Sequence, residues 1–180
     1  MNERTALHEA GHAVVAEEVG FRPTTIELND DDSGFCSFDD PVTVPTLPRL
    51  RRELVVLLAG RVAEYIDTGS DLASFPAHCV VALECSPRTN RWATMADFHA
   101  HVVELHGSSD DPGAQVAAYR WQDRELPAAA EAAAEILRRK WDRVRSLAEQ
   151  LIEAQDGVVR LSQAGGGTSA RTESGSREAA

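Results

Sequence analysis

Glu3-Arg4-Thr5-Ala6-Leu7-His8-Glu9-Ala10-Gly11-His12-Ala13-Val14-Val15-Ala16-Glu17-Glu18-Val19-Gly20 opens the chain and decides how the rest of it is read. Asn2 suits an N-cap, Glu3 suits the first turn, and Gly20 followed by Pro23 stops the segment, so a helix is predicted over residues 3–19. Leu7, Ala10, Val14 and Val15 form an apolar stripe, with His8 and His12 on its flank. Gly11 inside that helix costs about 1 kcal/mol relative to alanine, which implies a close approach by another element.

His8-Glu9-Ala10-Gly11-His12 is an H-E-x-x-H motif. Residues i and i+4 lie one turn apart on the same helix face, about 5–6 Å between Cβ atoms, so both imidazoles can hold one metal ion. Zinc is the expected ion, since two imidazoles and one carboxylate leave a fourth tetrahedral position open. Glu9 then has the role of general base toward the attacking water.

The remaining composition bounds the alternatives. With 180 residues, 43% hydrophobic and 26% charged, the chain suits one ordinary globular domain. No apolar run approaches the ~20 residues of a membrane span, and the helix begins too near Met1 for a signal peptide, so a cytoplasmic protein is expected. Cys36, Cys79 and Cys85 make no C-x-x-C pair and read as reduced thiols. A net charge of -11 disfavours nucleic acid as a partner.

Beyond the first helix, residues 24–28 and 34–38 alternate with period two around an Asp-rich turn, which predicts a hairpin or two strands of a small sheet. Such a sheet beside the zinc helix could hold an extended peptide or simply cover the helix. Pro41, Pro45 and Pro48 lead into a second helix over 47–68, closed by Gly69, with Leu50, Leu54, Leu57, Leu58 and Val62 on its apolar face. Gly60 inside it points to tight helix–helix packing. An apolar segment follows over 72–85, then a helix over 90–106 and a long helix over 126–154. From Gly165 onward the composition is that of a disordered tail. The expected organisation is a domain over 1–155 and a tail over 156–180. The fold class is mainly α (α+β): a zincin-like helical domain with a small hairpin or sheet and a long C-terminal helix.

With these residues in hand, the chain resembles the peptidase domain of FtsH-type ATP-dependent zinc metalloproteases. Thr5-Ala6-Leu7-His8-Glu9-Ala10-Gly11-His12-Ala13-Val14-Val15-Ala16 is similar to that family's A-x-H-E-A-G-H-A-x-V helix. Leu54-Val55-Val56-Leu57-Leu58-Ala59-Gly60-Arg61-Val62-Ala63-Glu64 is similar to its L-L-A-G-R-A-A-E helix, and the two occur in the family's order. The resemblance implies zinc-dependent hydrolysis of peptide bonds, with His8 and His12 as metal ligands and Glu9 as catalytic base. It also implies a third ligand, an Asp that the family carries in T-G-A-S-N-D-L. Thr68-Gly69-Ser70-Asp71-Leu72 looks like a shortened version and favours Asp71. In the competing register, aligning residues 90–107 without a gap, Arg91 takes the ligand's place and Asp97 is the nearest carboxylate.

Full-length members carry an ATPase module with a GxxxxGKT loop, and none is present in this sequence. The expected substrates are therefore peptides or unfolded proteins, with any unfolding supplied by a separate ATPase, and a homo-oligomer is compatible with the family. The rival expectation is a catalytically inactive, zinc-binding regulatory or interaction protein derived from the same fold. A further alternative is a zinc-dependent regulator that cleaves one specific partner.

Overall fold

The computed structural model describes residues 3–29, 31, 33–38, 46–75 and 95–161, except the side chains of 95–98 and 101. In chain order these form α1 (Glu3–Glu18), β1 (Pro23–Leu28), β2 (Gly34–Phe38), α2 (Leu47–Asp67), a 3-10 turn (Leu72–Ser74), α3 (Met95–His106), α4 (Pro112–Arg139), α5 (Trp141–Glu153) and β3 (Val158–Arg160). The fold is mainly helical with one small antiparallel sheet of order β2-β1-β3.

Local chemistry explains where the first two helices stop. Gly20 adopts φ +90°, and Phe21 N–H donates to Ala16 O at 2.8 Å, closing α1 in a Schellman arrangement. Gly69 does the same for α2 at φ +65°, with Ser70 N–H donating to Tyr65 O at 3.0 Å. At its start, α2 has Thr46 as N-cap, with Pro48 in the first turn, where a missing N–H is harmless.

Helix α1 is the centre of the molecule. It packs against α2 on one side and α5 on the other, with β1 and β2 laid across it. Ala6, Ala10, Val15 and Ala16 are fully buried there, and Leu50, Leu54, Leu58 and Val62 answer from α2. Helix α4 covers the other side of α2 and carries α3. Each fully buried Val or Leu contributes roughly 1.5–3 kcal/mol, so this interface is a substantial source of the fold's stability.

Gly11 has the close neighbour its position implies. A Cβ there would meet Ala63 Cβ at 2.9 Å and the Ala59 carbonyl oxygen at 3.1 Å. Gly11→Ala gains about 1 kcal/mol of helix propensity but forces two packed backbones apart, an overpacking cost of about 1–3 kcal/mol. The expected outcome is a lower denaturant midpoint for the metal-free protein at unchanged slope. A midpoint equal to or above the parent's would show that α1 and α2 part at no cost.

Three sequence expectations change. The helix predicted over 126–154 is two helices. The first starts at Pro112, where Asp111 accepts from Gly113 N–H at 2.8 Å, and it runs through Pro127. Lys140 (φ -111°, ψ 18°) then ends α4 and begins α5 without glycine or proline. There Glu18 of α1 takes Arg139 at 2.9 Å and Lys140 at 2.8 Å. The segment assigned to a tail from 156 supplies β3 instead, paired with β1 through Ile26 and Val159. The remainder of that tail, residues 76–94 and the side chain of Asp97 lie outside the described residues.

Candidate metal centre

The histidine pair is built by the crossing of α1 and α2. His8 and His12, one turn apart on α1, stand edge to face with ring centroids 4.7 Å apart and planes at 72°. His8 Nδ1 is 2.7 Å from Glu64 Oε1, and His12 Nδ1 is 2.7 Å from the Val56 carbonyl oxygen. A carboxylate and a carbonyl can only accept, so both rings carry their proton on Nδ1. In the neutral ring this leaves Nε2 with the lone pair a metal ligand requires, and each ring's orientation is fixed by its Nδ1 partner on the far side.

Those two Nε2 atoms converge over Gly60. A Cβ on residue 60 would lie 2.4 Å from His8 Nε2 and 2.6 Å from His12 Nε2. The sequence reading assigned this mid-helix glycine to helix–helix packing. Its more specific effect is to leave room for two imidazole rings against the α2 backbone.

Glu9 projects toward the sheet. It is buried, at 6% exposure, and lies against Gly34 at the start of β2. A Cβ at Gly34 would meet Glu9 Cγ at 2.7 Å and Oε1 at 3.0 Å. Cys36, two residues along the same strand, is a free thiol. Desolvation of this half-buried thiol, with the nearby Glu9 charge adding, pushes it well above its ordinary range and favours the neutral form.

Glu64 is the residue whose role the sequence left unassigned. It is 7% exposed, and a buried carboxylate needs compensation. Burial alone would raise its pKa. Hydrogen bonds from His8 and Arg4, with the charges of His8 and Arg61, hold it down to about 2. When His8 is neutral, as ligation demands, the guanidinium groups of Arg4 and Arg61 carry that compensation. Glu64 was visible only as the last letter of the Gly60-Arg61-Val62-Ala63-Glu64 run.

Of the two candidates for a third ligand, Asp71 forms no metal-holding group with this pair. Asp71 is exposed and caps the 3-10 turn, accepting from Ala73 N–H at 3.0 Å. Asp97 belongs to α3, which packs on α4 and touches α2. Among the described residues no group of three or more His, Cys, Asp or Glu side chains is placed to hold a metal ion. Of the other histidines, His99 meets Gln122 and Gln115 between α3 and α4, and His106 meets its own helix at Val102 O. His78 and Arg91 lie outside the described residues.

No known protein family's model matches the chain, and no curated protein matches it either.

Proposed function

We infer that the chain is a zinc-dependent metallopeptidase, related to the peptidase domain of FtsH-type proteases. One observation carries this reading. Two imidazoles are held through Nδ1 by Glu64 and Val56 with both Nε2 atoms close to one place over Gly60, so that in the neutral form both lone pairs can serve one ion. A pair of histidines serving only as surface residues needs neither the orienting acceptors nor a glycine beneath it. The donor set fits zinc, which takes imidazole nitrogen at ~2.0–2.1 Å.

His8 and His12 would hold the ion, with a carboxylate such as Asp71, or Asp97 as the alternative, completing the set. Zinc bound there supplies Lewis acidity, polarising a scissile carbonyl and lowering the pKa of a bound water toward ~7. Glu9 takes the attacking water's proton and returns it to the departing amine. Gly34 and the start of β2 keep the Glu9 carboxylate in position, and burial excludes competing water. Glu64 keeps the His8 proton on Nδ1. The substrate is a peptide or unfolded protein, with a separate unfoldase for folded targets and self-association compatible with the family likeness. No described helix is long and apolar enough to cross a membrane.

The second reading, a zinc-binding regulatory protein without activity, draws on the cap made by Asp71, which ties that carboxylate into its own turn. Metal analysis separates the two. The purified chain is expected to carry close to one zinc per molecule and to lose it in His8→Ala and His12→Ala. Asp71→Ala is expected to weaken zinc binding and stop peptide cleavage, while Asp97→Ala does neither. The reverse pattern would assign the site to α3. Unaltered zinc content in both histidine variants would remove the metal centre altogether.

A further inference from the structure

Glu64 turns its two oxygens to different neighbours. Oε1 accepts from His8 Nδ1 at 2.7 Å. Oε2 takes both arginines, Arg4 through Nε at 2.6 Å and through Nη2, and Arg61 through Nη1 at 3.0 Å. The arginines reach that oxygen from different helices. Arg61 stands three residues before Glu64 on α2, so it travels with the carboxylate whenever α2 shifts. Arg4 stands on α1, four residues before His8, and its hold on Glu64 crosses from one helix to the other.

This difference separates compensating a charge from placing it. Either guanidinium can offset the buried carboxylate. Of the two, Arg4 alone joins it to the helix that carries the ring, one turn from His8. Arg4, Glu64, His8 and the intervening turn of α1 thus make a closed loop. Turning Glu64 so that Oε1 leaves Nδ1 also pulls Oε2 off two coplanar donors of Arg4, and a guanidinium resists that more than a single-point contact does. We propose that Arg4 is a positioning residue of the metal centre, acting through Glu64 on His8. It leaves His12 alone, because that ring is held by the Val56 carbonyl. Its consequence for zinc rests on the metallopeptidase reading, whereas the closed loop exists without metal.

Exposure sets this role apart from general stabilisation. The Arg4 side chain is 67% exposed, against 8% for Glu64. An ion pair with one partner so open to water adds little to folding, so Arg4→Ala is expected to fold like the parent.

The test reads the two rings separately in the full-length, metal-free chain, from the ¹⁵N signals of His8 and His12 with both imidazoles neutral. In the parent both are expected to carry the proton on Nδ1 and a bare Nε2. In Arg4→Ala, His8 is expected to become a mixture of the two tautomers while His12 keeps the parental signature. Arg61→Ala should disturb His8 less than Arg4→Ala does. Arg4→Lys, which keeps the charge and the crossing but not the paired donors, should restore part of the His8 signature. Zinc affinity, measured by competition with a chromophoric chelator, is expected to fall about tenfold in Arg4→Ala and to recover partly in Arg4→Lys. That is the lower end of the range for outer partners of a metal ligand.

A His8 signature that is parental in Arg4→Ala, already mixed in the parent, or disturbed to the same degree as that of His12 overturns the positioning role. A parent chain that binds no zinc overturns the metal reading alone, because the ring signals decide the role of Arg4 without metal.

Discussion

Gly60→Ala is expected to strip the chain of zinc while leaving its fold intact. In an exposed helix interior this substitution would gain about 1 kcal/mol. Here the new methyl would sit 2.4 Å from His8 Nε2 and 2.6 Å from His12 Nε2. The ends of two flexible side chains yield more easily than the α2 backbone, so the rings swing away and α1 and α2 keep their packing. Swinging them breaks the contacts to Glu64 Oε1 and the Val56 carbonyl that set the tautomers. Loss of a single orienting partner costs 10–100-fold in metal affinity, and here both go, so a loss of roughly 100-fold or more follows. Helical circular dichroism and the melting temperature of the metal-free protein should match the parent or rise slightly. Metal analysis showing parental zinc content would mean that the ion does not sit where the two Nε2 atoms converge.

Both glycines that matter to α1 and α2 were conspicuous in the sequence because a glycine inside a helix is an expense. Their separate reasons were not legible. Gly11 admits the Ala59 carbonyl and the Ala63 methyl, whereas Gly60 admits imidazole rings. Only the three-dimensional crossing tells these apart. The H-E-x-x-H spacing reported the shared face of His8 and His12 at once, because that face is a property of one helix. Glu64 is 56 residues away in sequence from His8, and no local periodicity marks it as that ring's acceptor.

The same divide between local and long-range causes runs through the fold. The ends of α1 and α2 are marked by glycines that adopt positive φ, and β1 and β2 by alternation, so all four elements could be read within a residue or two. The break at Lys140 carries no local marker. It coincides with two ion pairs to Glu18, over a hundred residues earlier in the chain. Strand β3 is three residues long, too short for a period of two to register, and exists because β1 has an edge to offer.

Glu9→Gln is expected to keep zinc and to lose peptide cleavage by about 10²–10⁴-fold, the usual contribution of a positioned proton acceptor. The substitution preserves size and shape, which matters because Glu9 is 6% exposed and packed against Gly34. An amide in that place can still donate and accept hydrogen bonds, but it cannot take a proton from the attacking water. In the proposed site Glu9 is not a ligand, so zinc stoichiometry should stay close to that of the parent. Gly34→Ala tests the same carboxylate from the other side. Its methyl would approach Glu9 Cγ to 2.7 Å and the Glu27 carbonyl oxygen to 2.8 Å, displacing the base without changing its chemistry. That variant should lose kcat while retaining zinc, because His8 and His12 are oriented by Glu64 and the Val56 carbonyl of α2. Cleavage by Glu9→Gln at the parental rate would exclude Glu9 as the base. Loss of zinc in Glu9→Gln would instead make Glu9 part of the metal's own coordination, and the open position assumed for substrate would have to be sought elsewhere.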